Sequence, residues 1–407
     1  MKLSFATLDV FTTTRYTGNP LAVVLVPASL SSSLSESQKQ KIAREFNYSE
    51  TTFLHEPSAG SDTADFDIFT PLARMSFAGH PTIGTAIYAA QHAESYKGVT
   101  ALRTLAGRIP FVFNPDTHRA TVHIPHDVHI HTARLANPLA LDQGNALTVP
   151  IVSIVKGMAF GLAKLPDLET LGRATGPLVP AHERYESKFL DEGSGWDVGY
   201  TGTFWYVDLG FESDDASAPG SALEGEGKGE VKGKEEKVRL LRTRSTPAHE
   251  DPGTGSASAA LCAYLALQEG ASGEKKTSRF HLVQGVEMGR RCDIFVEVGV
   301  DGEGVIEGVR LSGSAVGVMG GVLEIFQEKH AVELSKYLYI HFHEHNTSKN
   351  LNPPHQDVQT HSHNTRSPHH LQNPTHQLPK QQLATVPNHF LNVRRPWLVG
   401  HGRSART

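Results

Sequence analysis

Long apolar runs are missing from this chain. No stretch approaches the roughly 20 residues that a membrane helix needs, so the sequence gives no sign of a membrane partner. Cysteine is scarce, with only Cys262 and Cys292 in 407 residues. Both lie in apolar or strand-like contexts, which excludes a disulfide framework. Charge of one sign is not in excess: the net charge is −5 with histidine neutral, which argues against a nucleic-acid partner. No Gly-Lys-Ser/Thr phosphate loop occurs, and no Gly-x-Gly-x-x-Gly dinucleotide fingerprint. The first residues do not form a secretory signal. Leu3 to Phe11 alternate as a strand does, without a continuous apolar segment. The expectation is a cytoplasmic protein of two domains plus extras.

What the chain does have is two glycine-rich loops, each opening into a small-residue helix. The first is Phe77-Ala78-Gly79-His80-Pro81-Thr82-Ile83-Gly84-Thr85-Ala86, and the second is Glu250-Asp251-Pro252-Gly253-Thr254-Gly255-Ser256-Ala257. A helix start exposes unpaired N–H groups and the positive end of the helix dipole. Glycine lets a ligand approach that backbone closely. One loop in each half of the chain points to two similar lobes facing a shared anion-binding cleft.

The elements follow from hydrophobic periodicity and caps. Leu3 to Phe11 and Leu21 to Val26 read as a hairpin, and Ser35 with Gln38 has the form of a capping box for a helix running to Phe46. Strands are expected at 48–54, 64–69, 103–113 and 120–124, with the first glycine-loop helix extending to about His92. Residues 125–150, rich in His, Asn and Pro, read as the connection between lobes. Strands at 151–155, 204–209, 238–242, 280–285, 292–298, 305–311 and 321–326, and a helix at 168–175, make the second lobe. Residues 213–237 read as a disordered insertion and 328–407 as a disordered His/Asn/Pro-rich tail. The tail histidines, such as His341, His343 and His345, lack a supporting Cys or carboxylate cluster, so no metal site is expected.

Three side chains stand out. Glu50 precedes a strand, where partial burial would raise its pKa into the range of a general base; the alternative is a surface or capping glutamate. His80 sits at the mouth of a helix, able to donate to an anion or pass on a proton, or merely to bond its own backbone. Asp251 before Pro252 is a good N-cap arrangement, or a partner for a substrate hydroxyl or amine. Thr254, Gly255 and Ser256 supply N–H groups and hydroxyls in either case. Cys262, inside a helix, reads as a packed thiol, and Cys292 as a strand residue remote from either loop.

These loops belong to a longer series in fixed order: Asp9-Val10-Phe11, Gly18-Asn19-Pro20-Leu21-Ala22-Val23-Val24, Ser49-Glu50-Thr51-Thr52-Phe53, Phe69-Thr70-Pro71, the two glycine loops, and Gln284-Gly285-Val286-Glu287-Met288-Gly289-Arg290. On these residues the chain resembles the PhzF-like (phenazine biosynthesis-like) family from residue 1 to about 327. The resemblance implies an α+β fold like that of diaminopimelate epimerase. Two pseudo-symmetric lobes, 1–135 and 136–327, would each hold a curved, mostly antiparallel sheet around a central helix. It also implies a cofactor-independent isomerase, usually a homodimer, acting on a small-molecule carboxylate. The family's best-known member isomerises trans-2,3-dihydro-3-hydroxyanthranilate with a glutamate that matches Glu50. The family's histidine and aspartate fall on His80 and Asp251, and its substrate contacts on Gly79, Gly255 and Ser256. Related epimerases carry a cysteine in each loop. Here those places hold Ala78 or Gly79 and Pro252 to Thr254, which disfavours two-thiol racemisation. Leu72-Ala73-Arg74-Met75-Ser76 departs from the usual pattern and puts a charge near the expected cleft rim. The rival readings are an amino-acid racemase or epimerase on the same scaffold and a non-catalytic binder.

Overall fold

The computed structural model describes residues 2–139, 148–180, 182–212, 237–246, 250–270 and 273–325. The tail from 328, its histidines, and all but the last residue of the 213–237 insertion lie outside them.

The chain begins with β1 (Lys2–Val10) and β2 (Asn19–Val26), the expected hairpin. Next come α1 (Glu36–Phe46), β3 (Thr51–His55), β4 (Thr63–Phe69) and the short β5 (Arg74–Met75). Ser35 caps α1 with both halves of its capping box made: Gln38 N–H donates to Ser35 Oγ, and Ser35 N–H donates to Gln38 Oε1. Helix α2 (Gly79–Gln91) and the single turn α3 (Ala93–Tyr96) follow. Then come β6 (Ala101–Thr104), β7 (Gly107–Asn114) and β8 (Arg119–His123). The single strand expected at 103–113 is thus a tight hairpin, turning at Leu105-Ala106 with Gly107 at φ +108°.

The expected connection at 125–150 holds a strand of its own, β9 (His129–Ala136), before β10 (Thr148–Val155) and β11 (Gly157–Lys164). Helix α4 (Leu168–Arg173), capped by Asp167, leads to β12 (Gly199–Phe211) and β13 (Val238–Ser245). Helix α5 (Gly255–Gln268), β14 (Lys276–Gln284), β15 (Cys292–Val300) and β16 (Ile306–Glu324) complete the described chain. The last is one 19-residue strand where two were expected.

That length has a topological use. Residues 310–314 of β16 pair with β8, residues 306–312 with β15, and residues 315–324 with β1. The first strand set therefore closes on itself in the order β1-β2-β3-β4-β6-β7-β8-β16. The second runs from β16 through β15, β14, β13, β12, β11 and β10 to β9. The sequence of pairing directions repeats. From β1 through β8 it is antiparallel, parallel, antiparallel, parallel, antiparallel, antiparallel, and from β10 through β16 it is the same.

Helix α2 packs on β1, β2, β3, β6, β7, β8 and β16, and α5 on β10, β11, β14, β15 and β16. Eleven of thirteen residues of α2 and eleven of fourteen of α5 are buried. A helix with no polar face is stable only inside a shell, and their many Ala, Gly, Ser and Thr side chains let strands come near. One core joins both sets through Phe11, Ile83, Ile87, Leu261, Ile294 and Leu311. Smaller clusters lie under α1 (Leu3, Val24, Phe53, Phe69) and α4 (Leu135, Val149, Leu171, Trp205). No described helix is long and apolar enough to cross a membrane.

Candidate active site

The two glycine loops meet. A Cβ built on Gly79 would lie 2.8 Å from Gly255 Cα, and one built on Gly255 would lie 3.1 Å from Gly79 Cα. The first residues of α2 and α5 are thus in backbone contact, with Leu311 of β16 against both. Any side chain at either position would force the helix starts apart. Neither helix is capped by its own N-cap side chain: Ala78 has none to offer, and Thr254 turns its hydroxyl to Asp251 Oδ2 at 2.5 Å. Two buried, uncapped helix starts side by side concentrate N–H donors and positive dipole at one point.

Glu50 and His80 come together beside this point. His80 Nδ1 lies 3.5 Å from Glu50 Oε2. The His80 side chain is 4% exposed, and its Nε2 makes no hydrogen bond. Burial pushes its pKa down to about 3 against a weaker upward pull from the Pro20 carbonyl, so the ring is neutral at physiological pH. Glu50 goes the other way. Burial first, and then the nearby Asp251 charge, push it up to about 8, with a small opposing pull from the Ser49 hydroxyl. Its side chain keeps 18% exposure, which leaves the carboxyl reachable. Asp251 is also raised, by burial and then by the Glu250 charge, while Thr254, Asn19 and Gly253 pull it back. Two carboxyls sharing one dry site resist ionising together.

The chain holds Asp251 from four sides. Arg244 grips Glu250 with two bonds of 2.8 and 2.7 Å and also donates to the carbonyls of Leu171 and Gly172. Asp251 N–H donates to the Ser245 carbonyl at 3.1 Å, continuing β13 by one bridge. Asn19 Nδ2 donates to Asp251 Oδ1 at 2.8 Å and to the Gly253 carbonyl at 2.9 Å, a tie across more than 230 residues. Gln284 Nε2 donates to the Asp251 carbonyl at 2.8 Å and to Thr254 Oγ1 at 3.1 Å, while its Oε1 accepts from Thr254 N–H. Arg290 in turn fixes the turn before Asn19, donating to Asp9, Thr17 and Gly18.

Sequence reasoning singled out Glu50, His80 and Asp251 and missed the roles of Asn19, Gln284 and Arg290. Their signal was present, since all three sit inside the short motifs quoted above. Tyr200 was missed as well. Its phenol pKa is raised mainly by burial, and the charges of Asp251 and Glu50 reach it. Arg184 lies over the Tyr200 ring at 6.0 Å, with a buried Nη2 that makes no hydrogen bond.

Two expectations need correction. Cys292 is not remote from the loops: a Cβ on Gly253 would fall 2.7 Å from its Sγ. It opens β15 opposite Gln284, which brings it under the second loop. Burial, with the Asp251 charge, holds its thiol protonated. Cys262 is free, buried and likewise raised by burial. Arg74 is committed to Asp67 and to Glu36 at 3.3 Å, in a network that also holds Lys39 and His55. It is not an open charge waiting for a ligand.

Paired helix starts lie inside a largely antiparallel shell, with a buried carboxyl pair beside them, and solved structures share this fold. A phenazine biosynthesis protein of the PhzF family from Bacillus anthracis covers 80% of this chain and 100% of its own at a TM-score of 0.55 and 21% identity. A predicted epimerase of Pseudomonas aeruginosa covers the same shares at 0.52 and 22%.

In sequence, the family model for phenazine biosynthesis-like proteins (PhzC-PhzF) matches residues 8–153 and 245–321. An uncharacterized isomerase of Mesorhizobium japonicum is 32% identical over 78% of this chain and 97% of its own. A trans-2,3-dihydro-3-hydroxyanthranilate isomerase of Pseudomonas fluorescens is 39% identical over 26% of this chain and 36% of that enzyme. The chain belongs to the phenazine biosynthesis-like family. Its relatives are named isomerases, and it is an enzyme of that class.

Proposed function

We propose that this enzyme is a cofactor-independent isomerase that moves a proton on a small cyclic or amino carboxylic acid, with Glu50 as the general acid/base. The observation that carries the reading is a single one. A buried carboxyl with its pKa raised to about 8 faces a neutral histidine beside two uncapped helix starts.

The substrate carboxylate docks on the N–H groups of Gly79, Gly255 and Ser256, where the helix dipoles add. Thr254 orients that corner. With its pKa raised, Glu50 is ionised only in a minor fraction at neutral pH. That form takes a proton from a carbon next to the activated system, and the resulting acid returns it to another carbon. His80 Nδ1 shares the proton's path, and Asp251 adds to the burial that raises the pKa of Glu50 while facing a substrate hydroxyl or amine. No redox partner is needed, since one proton is taken and one is given back, with exchange against solvent while Glu50 carries it. The protonated, buried thiols of Cys262 and Cys292 support one carboxyl rather than a thiol pair. The repeated pairing order supports reading the two strand sets as pseudo-symmetric lobes, each wrapped around its helix, with β16 common to both. Strand β9, paired with β10, supports a second lobe that starts near 129 rather than 136.

Proton exchange in D₂O tests the proposal. The full chain and Glu50→Gln are incubated with dihydro-hydroxyanthranilate-like and amino-acid carboxylates and followed by NMR. Deuterium wash-in that requires Glu50 supports the proposal. A label at the α-carbon alone, with inverted configuration, replaces isomerisation by epimerisation. Binding without wash-in leaves a non-catalytic member of the family.

A further inference from the structure

His129 and His131 are two positions apart on β9, so strand alternation puts both on one face. Asp191, just beyond the 3-10 turn Ser187–Phe189, comes up against them. His129 Nε2 lies 2.8 Å and His131 Nδ1 3.8 Å from Asp191 Oδ2, and the three atoms fall within 4.8 Å of one another.

The Asp191 backbone N–H donates to His131 Nδ1 at 3.2 Å, so that nitrogen carries its lone pair and no proton, and an ion takes the lone pair in place of this bond. The ring proton then sits on Nε2 and is donated to Ser153 Oγ at 2.9 Å. Thr132 N–H holds the other Asp191 oxygen at 2.9 Å. The His129 ring is stacked on Trp196, 5.0 Å between centroids and 9° from parallel. His131 is fully buried, whereas the side chains of His129 and Asp191 keep 29% and 22% exposure. The cluster is ordered from below and approachable from solvent.

We propose that His129, His131 and Asp191 form a binding site for a divalent transition ion of the zinc class. Two imidazole nitrogens and a carboxylate oxygen are a donor set such ions favour, and three protein donors leave a fourth position for water. Tetrahedral coordination at the usual bond lengths sets donors roughly 3.4 Å apart. The 2.8 and 3.8 Å separations from Asp191 bracket that value, and side-chain shifts that draw the two histidine nitrogens, now within 4.8 Å, together complete the site. On binding, the ion takes the place of the proton between His129 Nε2 and Asp191, and that proton moves to His129 Nδ1 as the ring takes its other tautomer. Ser153 acts as a positioning residue by fixing the His131 tautomer. None of these residues belongs to the Glu50 pocket, and the site stands whatever chemistry Glu50 performs.

Trp196 makes the site readable. In the full chain carrying Trp397→Phe, which removes a tryptophan that lies among other histidines in sequence, Co²⁺ is titrated while tryptophan emission is followed. Trp205 is buried on Thr246 and gives a constant background. The expected result is one saturable quench, reversed by Zn²⁺ and absent when Trp196→Phe is added. Ser153→Ala weakens it roughly 10–100-fold, the usual loss for an outer partner of a metal ligand. His129→Ala and Asp191→Asn weaken it further, with far-UV circular dichroism unchanged; Asp191→Asn keeps the acceptor for Thr132. No saturable quench up to millimolar Co²⁺, or an equal quench in folded His129→Ala protein, overturns the proposal. Glu50→Gln leaves the titration unaltered.

Discussion

Helices α2 and α5 hold equivalent places in two strand sets with the same order of pairing directions, yet they present different chemistry. Helix α2 opens on His80, a buried ring held neutral, with Glu50 supplied from the approach to β3. Helix α5 opens on Ser256, with Asp251 supplied from the loop just before it. Each half gives one carboxyl and one helix start, and only together do they give paired helix starts flanked by raised carboxyls. Asn19 and Gln284 tune one half alone, satisfying the aspartate. No comparable set of donors surrounds Glu50 among the described residues, and its proton affinity is left high. Burial raises both carboxyls, and they differ in the hydrogen bonds that oppose it.

That comparison breaks most sharply at Glu50. Glu50→Gln is expected to lower turnover by about 100-fold or more while ligand binding persists, read by steady-state kinetics beside calorimetric titration. The contact between the halves comes next. Gly79→Ala or Gly255→Ala inserts a methyl where the facing backbone lies within about 3 Å. Overpacking of this kind costs typically 1–3 kcal/mol, measured by denaturant unfolding, and turnover falls with it.

Asp251→Asn sharpens the comparison through pH. Removing the neighbouring charge lets Glu50 ionise more readily, so the limb of kcat/KM that rises through about pH 8 moves to lower pH. An unmoved limb separates the two carboxyls. The same shift predicts a stability effect. A carboxyl whose folded pKa is raised stabilises the protein fully below its unfolded value of 4.5 and loses that contribution as pH rises through about 8. Glu50→Gln is therefore more thermostable relative to wild type at pH 9 than at pH 5, by melting curves at both. The smallest effect is expected at Cys292→Ala, a buried protonated thiol. Activity stays near wild type, and stability falls by about 1 kcal/mol.

Much of this was written in the sequence, but unevenly. Elements with an alternating or capped pattern, such as β1, β2 and α1, were legible to within a few residues. Strand β11 was not. Gly157–Lys164 is buried on nearly every residue, and a short run of small apolar residues carries no period. Strand β9 was masked by its histidines and by the prolines around it. Strand β16 was read as two because Gly313, Gly317, Gly320 and Gly321 interrupt it, as glycine usually does in a strand. At the site, Glu50, His80 and Asp251 were legible because their loops have recognisable grammar. The bond from Asn19 to Asp251 and the contact of Cys292 with Gly253 are made by residues far apart in the chain, and no local pattern encodes which partner a side chain will meet.

Strand β16 carries a consequence for how the molecule is made. Lys2 pairs with Glu324 at one end of the described chain and Val10 with Ala315 further along, so the first strand and the last are neighbours. Closing a loop of that length is entropically late and kinetically slow. Until it happens, β1 and β8 are bare edges, open to other chains. During synthesis the first half therefore waits, unfinished, for residues translated after almost everything else described here. A nascent chain stopped before Ile306 is expected to be a client for chaperones rather than half an enzyme.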